Sequence, residues 1–278
     1  MILRLSPVPH LPGSHLRLVT YNIHKGVQGL GPAKRLEIHN LRTAIANLNA
    51  DIVCLQEVRA FNNKHAKSFK NWPNTNQTEY LAPPGYFSVY KTNATTKHGE
   101  HGNALLSKWP IVSHHHLDMS DHALEQRGLL HVVIDINKVR VNVIVLHLGL
   151  FANSRKRQIQ RLGDYLDMKI SPGEPVLVAG DFNDWSNALI PLMNKIGLNL
   201  ISRSTTSKAT VNGLQINKRM LTFPSTLPLL ELDYVYAKGL VSTSAYVLSG
   251  GHWGRLSDHL PLVVEFAKNG LSDSGLRA

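Results

Sequence analysis

The sequence predicts an α/β protein, with two mainly antiparallel sheets packed face to face and helices on the outside. Strand-like runs far outnumber helical ones. The first three elements read strand, helix, strand, a β-α-β opening. Most later neighbours read as antiparallel, with helices interspersed.

The elements follow in order. LRLVTYNI, residues 16–23, alternates and is rich in β-formers, so it predicts a strand. In RLEIHNLRTAIANLN, Leu36, Leu41, Ile45 and Leu48 keep helical spacing. DIVCLQEV is the apolar strand that closes the unit. FNNKHAKSFKNWPNTNQTEYLAPPGY is polar and rich in Pro and Asn, and reads as loop with little regular structure. YFSVYK, HGNALLSK, IVSHHHL, RGLLHVVIDI and VRVNVIVLHL are strand-like, with a hairpin-like break at 137–140. SRKRQIQRLGDYLDMKI is a helix with Ser154 as N-cap and Ile159, Leu162, Leu166 and Ile170 as its buried stripe. EPVLVAG is a strand, and SNALIPLMNKIG is a helix interrupted or restarted at Pro191. LDYVYA, VSTSAYVLS and LPLVVEF close the chain as strands. The organisation is an N-terminal extension over residues 1–15, one domain over 16–267 and a loose tail over 268–278.

Composition bounds the function. The 278 residues are 43% hydrophobic, enough for a large core. Thirty Lys and Arg against nineteen Asp and Glu leave +11, which favours anionic partners: nucleic acid, phosphorylated small molecules or an acidic membrane surface. The single cysteine, Cys54, excludes an internal disulfide and reads as a buried structural thiol. The prolines near the start break any signal peptide, and no apolar run approaches the ~20 residues of a membrane span. These features predict a soluble, cytoplasmic monomer, with peripheral contact on an anionic membrane still open.

Several strand ends carry polar residues that a core does not need: Asn22, Gln56 and Glu57, Asn103, His147, Asp181 and Asn183, Asp233, Asp258 and His259. Taken singly, each has a plain structural reading. Asn22 caps a turn, Glu57 pairs with Arg59 or Arg127, His147 is a hydrogen-bonded core histidine, and Asp181 caps the following helix. Their recurrence at strand ends points instead to one shared rim. Carboxylates with Asn and Gln are hard oxygen donors suited to Mg²⁺ or Mn²⁺. His114, His115 and His116 alternate faces in a strand and cannot all meet one metal. There is no phosphate-binding Gly-rich loop and no Gly-x-Ser-x-Gly elbow.

TYNIHKG, DIVCLQEV, HGNALLSK, QRGLL, VLHLGL, VAGDFND, LDYVY and LSDHLPLVV stand in an order that resembles the endonuclease/exonuclease/phosphatase superfamily, from about residue 16 to 266. The resemblance implies a four-layer α/β sandwich and Mg²⁺-dependent cleavage of a phosphoester by in-line attack of water. It implies Glu57 as principal metal ligand, with Asn22 beside it and Asp258 near the ion. It implies Asp181 as the group that deprotonates the water and Asn183 as a donor to a phosphoryl oxygen. Asp233 orients His259, which contacts the phosphate or assists proton transfer. His147 stabilises the phosphate or protonates the leaving group, and Arg127 and Asn103 support the site. Abasic-site repair members generally have a tyrosine in place of His147, whereas the deoxyribonuclease and sphingomyelinase branches share the histidine.

The substrate expected is therefore a phosphodiester, in nucleic acid or a phospholipid headgroup. A catalytically idle anion-binding module is the reading of another class. Arg155, Lys156 and Arg157 open the helix after His147, where they oppose the macrodipole and would be better tolerated facing anions; a solvated basic face is the alternative.

Overall fold

The Ser14–Asn22 strand founds the larger sheet. It pairs in parallel with Ile52–Val58 and antiparallel with Leu262–Ala267. The helix Ile38–Leu48 makes the crossover and buries Ile38, Leu41, Ala44, Ile45 and Leu48. The computed structural model describes residues 14–29, 31–122, 125–201, 210–211, 214–217 and 220–267. Most of the expected N-terminal extension and the whole expected tail lie outside the described residues.

The larger sheet runs Thr210–Val211, Leu214–Asn217, Ser242–Leu248, Leu262–Ala267, Ser14–Asn22, Ile52–Val58, Gly99–Ser107, Phe87–Thr96. The second runs Asn199–Leu200, Asp233–Lys238, Val176–Asp181, Val139–His147, Gly128–Ile136, Ile111–Asp118. Alternation sorts the second sheet's residues. Val143, Val145, Leu177 and Ala179 join the core shared with the larger sheet. Ile144, Leu146 and Val178 pack with Ile159, Leu162 and Leu166 of the Ala152–Lys169 helix. Both faces are covered, so these strands read as continuous apolar runs. The result is the four-layer α/β sandwich, helix on sheet on sheet on helix. Cys54 is buried as a free thiol.

Four local readings change. The stretch 61–86 holds two short helices, Asn63–Ser68 and Gln77–Leu81, capped by Asn62 and Asn76 accepting from His65 N and Glu79 N. Leu36 lies on a two-residue strand paired with Val27, not in the helix. Ser154 is not an N-cap; the helix begins at Ala152, and the Ser154 hydroxyl donates to Asp121. Arg155 and Arg157 do not present a free basic face. Arg155 is buried and donates to the Gly149 and Leu150 carbonyls, while Arg157 pairs with Asp121.

The two parallel pairs fix the position of the site. Ser14–Asn22 with Ile52–Val58, and Val139–His147 with Val176–Asp181, all end at one rim. There Asn22 Nδ2 donates to Asp181 Oδ2 across the sheets at 3.1 Å.

Candidate active site

Asp181 is the centre. Register sets it between His147 and Asp233 on its two neighbouring strands. Gly180 permits the approach, because a Cβ there would sit 1.9 Å from the Leu146 carbonyl oxygen. Asp181 is buried and caps no helix; its Oδ1 accepts from the Asn183 backbone N–H at 3.0 Å. Its Oδ2 lies 3.6 Å from Nε2 of both His147 and His259. Asn183, at φ +50°, turns its Nδ2 to donate to the Leu148 carbonyl at 3.0 Å. Asn tolerates this left-handed conformation better than most residues.

Glu57 arrives by a different device. Between Leu55 and Val58 the Ile52–Val58 strand carries one residue more than Gly99–Ser107 opposite, and Glu57 takes φ +57°. A bulge of this kind re-aims a side chain at a sheet rim, and positive φ at a non-glycine residue is strain that the surroundings must hold. Glu57 receives Lys25 Nζ at 2.5 Å, rather than Arg59 or Arg127. Gln56 turns away and donates to Thr20 Oγ1 at 3.1 Å. Asp258 takes His24 Nδ1 at 2.5 Å.

Electrostatics separate the two histidines beside Asp181. Burial, then the nearby Arg127 cation, lowers His147 to about 4, so it is neutral near pH 7. Burial works against charge on His259 too, but Asp233 and Asp181 overcome it and push the ring up to about 10. Asp233 Oδ2 holds His259 Nδ1 at 2.7 Å. Burial raises Asp181 against the opposing pull of His259 and His147. Burial also disfavours the charged form of Glu57, but Lys25 and His147 outweigh it and hold the carboxylate well below its ordinary value. One rim therefore holds a buried carboxylate between an imidazole lowered by burial and another raised by its carboxylate neighbours, a separation that acid–base chemistry can use.

The structure brings Asn22, His147, Asp181, Asn183, Asp233 and His259 together, with Glu57 near the end of its strand and Asp258 on the loop before Leu262–Ala267. Arg127 stands one step out, donating to the Leu148 carbonyl and pairing with Glu125. Asn103 is fully buried and links the sheets, donating to the Gly128 and Val145 carbonyls. Sequence reasoning missed His24 and Lys25. The only signal was two basic side chains directly after YNI.

Glu57, Asp258 and Asn22 offer the oxygen donors a hard divalent cation takes; Glu57 already draws the Lys25 ammonium, and Asp258 the His24 ring. This donor set fits Mg²⁺ or Mn²⁺. Asp181, Asp233 and His259 also have ligand atoms within 4.8 Å of one another. Those three residues are a second group that could hold a metal ion, and within it Asp233 Oδ2 also holds His259 Nδ1 at 2.7 Å.

Residues 19–259 match the model of the Endonuclease/Exonuclease/phosphatase family. The uncharacterized protein YbhP of Escherichia coli (strain K12) is 36% identical over 253 residues, covering 90% of this chain and 95% of YbhP. An endonuclease/exonuclease/phosphatase from Beutenbergia cavernae superposes with a TM-score of 0.65 at 19% identity, over 91% of this chain and 71% of that one. The mannosyl-6-phosphatase Bt3783 of Bacteroides thetaiotaomicron gives 0.66 at 16%, over 91% and 100%. By the family match and the full-length likeness to YbhP, the chain belongs to the endonuclease/exonuclease/phosphatase family.

Proposed function

We propose that this chain is a Mg²⁺-dependent phosphodiester hydrolase, with Mn²⁺ as a substitute ion. The observation that carries this is Asp181 Oδ2, buried and 3.6 Å from Nε2 of both His147 and His259, the first ring lowered by burial and the second raised by its carboxylate neighbours. Held by Glu57, Asn22 and Asp258, the ion would supply positive charge to the phosphoryl oxygens. The chain supplies the rest. Asp181, made more basic by burial, accepts the proton of the attacking water. His259, kept charged and oriented by Asp233, directs an N–H and a positive charge at a phosphoryl oxygen. Asn183 gives one amide hydrogen to Leu148 and has a second for the same purpose. An arriving phosphate anion raises the His147 pKa, which prepares that ring to protonate the leaving oxygen.

The test is a release assay on plasmid DNA, single-stranded DNA, RNA, phospholipid vesicles and an inositol phosphate, with Mg²⁺, Mn²⁺ or a chelator. Release should need the ion. It should fall at least ~100-fold in Asp181→Asn, His259→Ala and Glu57→Ala, each folded by circular dichroism. No release from any substrate would leave the idle binding module as the reading.

A further inference from the structure

Ten large apolar side chains stand exposed among the described residues, and they are unevenly placed. Six of them, Phe61, Leu150, Phe151, Trp185, Leu227 and Leu229, lie on loops of the rim that carries the site, at 49–65% exposure. Phe61 follows the Ile52–Val58 strand, Leu150 and Phe151 follow His147, and Trp185 is two residues past Asn183. Leu227 and Leu229 belong to a turn fastened beside Asp258, whose carbonyl accepts from Ser225 N at 2.7 Å. The other four mark the opposite end. Phe87 pairs with Ser107, which pairs with Ile52 at the start of the strand that carries Glu57. The Val241 carbonyl accepts from Ala267 N, opposite Ser14. Val112 follows Ile111, which pairs with Ile134, away from Gly128 at the rim. Met168 lies in the last turn of the 18-residue Ala152–Lys169 helix, which begins at the rim, roughly 25 Å away at 1.5 Å per residue.

Charge is the second observation. Residues 59–70, anchored to this rim by the Asn62–Gly99 bridge, carry Arg59, Lys64, Lys67 and Lys70 and no acid. Lys64, Lys67 and Lys70 are exposed.

We infer that this rim docks on an anionic phospholipid bilayer, its apolar side chains entering the headgroup boundary and its lysines facing lipid phosphates. The aliphatic members decide between a bilayer and a nucleic acid. Phe61, Phe151 and Trp185 offer stacking to a base, but Leu150, Leu227 and Leu229 gain only by leaving water for an apolar phase. Among the described residues no helix is long and apolar enough to cross a membrane. Joined to the hydrolase reading, docking presents the scissile phosphate in the plane of the bilayer; docking itself needs no turnover.

The test uses the full chain in flotation with vesicles of phosphatidylcholine alone and of phosphatidylcholine with phosphatidylglycerol in equal parts. The mixed vesicles should carry the protein, less so as salt rises, with a blue shift in fluorescence that Trp185→Phe removes. Leu150→Ser/Phe151→Ser/Leu229→Ser and Lys64→Glu/Lys67→Glu should each lose ~10-fold or more in partitioning, with turnover of soluble bis-p-nitrophenyl phosphate unchanged. Binding by the triple-serine variant equal to the parent, no capture by mixed vesicles, or tighter capture of single-stranded DNA at the same salt overturns the inference. Flotation of Asp181→Asn separates the two proposals: docking without turnover anywhere sinks only the hydrolase reading, and turnover without docking sinks only this one.

Discussion

Lys25 stands beside Glu57, which the proposed function makes a ligand of the divalent ion, and its backbone shows how it is kept there. His24, Lys25 and Gly26 all have positive φ, at 45°, 63° and 70°. Gln77 clamps the turn, donating to the Lys25 carbonyl at 2.9 Å while its Oε1 accepts from Arg59 N. Glu57 is thus neutralised from within the chain. Lys25→Met removes that cation and leaves a half-buried carboxylate unpaired. Its cost falls between the ~1 kcal/mol of an exposed pair and the ~3–5 kcal/mol of a buried one. The variant should melt lower than the parent in chelator, and saturating MgCl₂ should raise its Tm by more than it raises the parent's. Equal Mg²⁺-induced shifts in a thermal scan would remove Glu57 from the ion's ligands. The carboxylates were legible in sequence because each interrupts or ends an apolar run. The Lys25–Glu57 pair was not, because it depends on a bulge and a left-handed turn 32 residues apart, neither of which has a residue signature.

Between elements, the site depends on how the two sheets are joined. Asn103 reaches from Gly99–Ser107 to the Gly128 carbonyl at 3.0 Å and the Val145 carbonyl at 3.1 Å. Asn103→Ala removes both bonds in a dry setting, which costs about 1–3 kcal/mol. Thermal unfolding should show a loss of roughly 5 °C, and urea unfolding a lower midpoint with an unchanged slope. An unshifted midpoint would mean that the Asn103 bonds do not hold the sheets together. The sheets themselves were readable, since short apolar or alternating runs and the β-α-β opening are properties of local sequence. The helices Asn63–Ser68 and Gln77–Leu81 were not, being too short for periodicity and started by Asn residues that signal turns equally well. The Ala152–Lys169 helix was found by its stripe, but its start was misplaced, because Ser154 serves Asp121 rather than its own backbone.

Across the whole molecule, histidines tie stability to pH from two sides. His65, His101 and His147 are each lowered to about 4, first by burial and then, for the first and third, by nearby arginine. A lysine is the leading cation for His101. From about pH 6.5 down to 4 the unfolded chain takes up protons at these rings that the folded chain refuses, so stability falls as pH falls. His259 works in the opposite sense. Its folded value of about 10 lies above the ordinary 6.5, so the folded chain holds a proton that the unfolded chain has released. That contribution is complete below pH 6.5 and is lost as pH rises towards 10. The two limbs place the maximum near pH 6.5, where neither set opposes folding. A Tm profile taken without divalent ions should peak there, and His259→Gln should flatten the alkaline limb while leaving the acid limb in place. A parent profile level from pH 7 to 9 would show that Asp233 and Asp181 do not hold His259 charged, and would remove the imidazolium from the proposed chemistry.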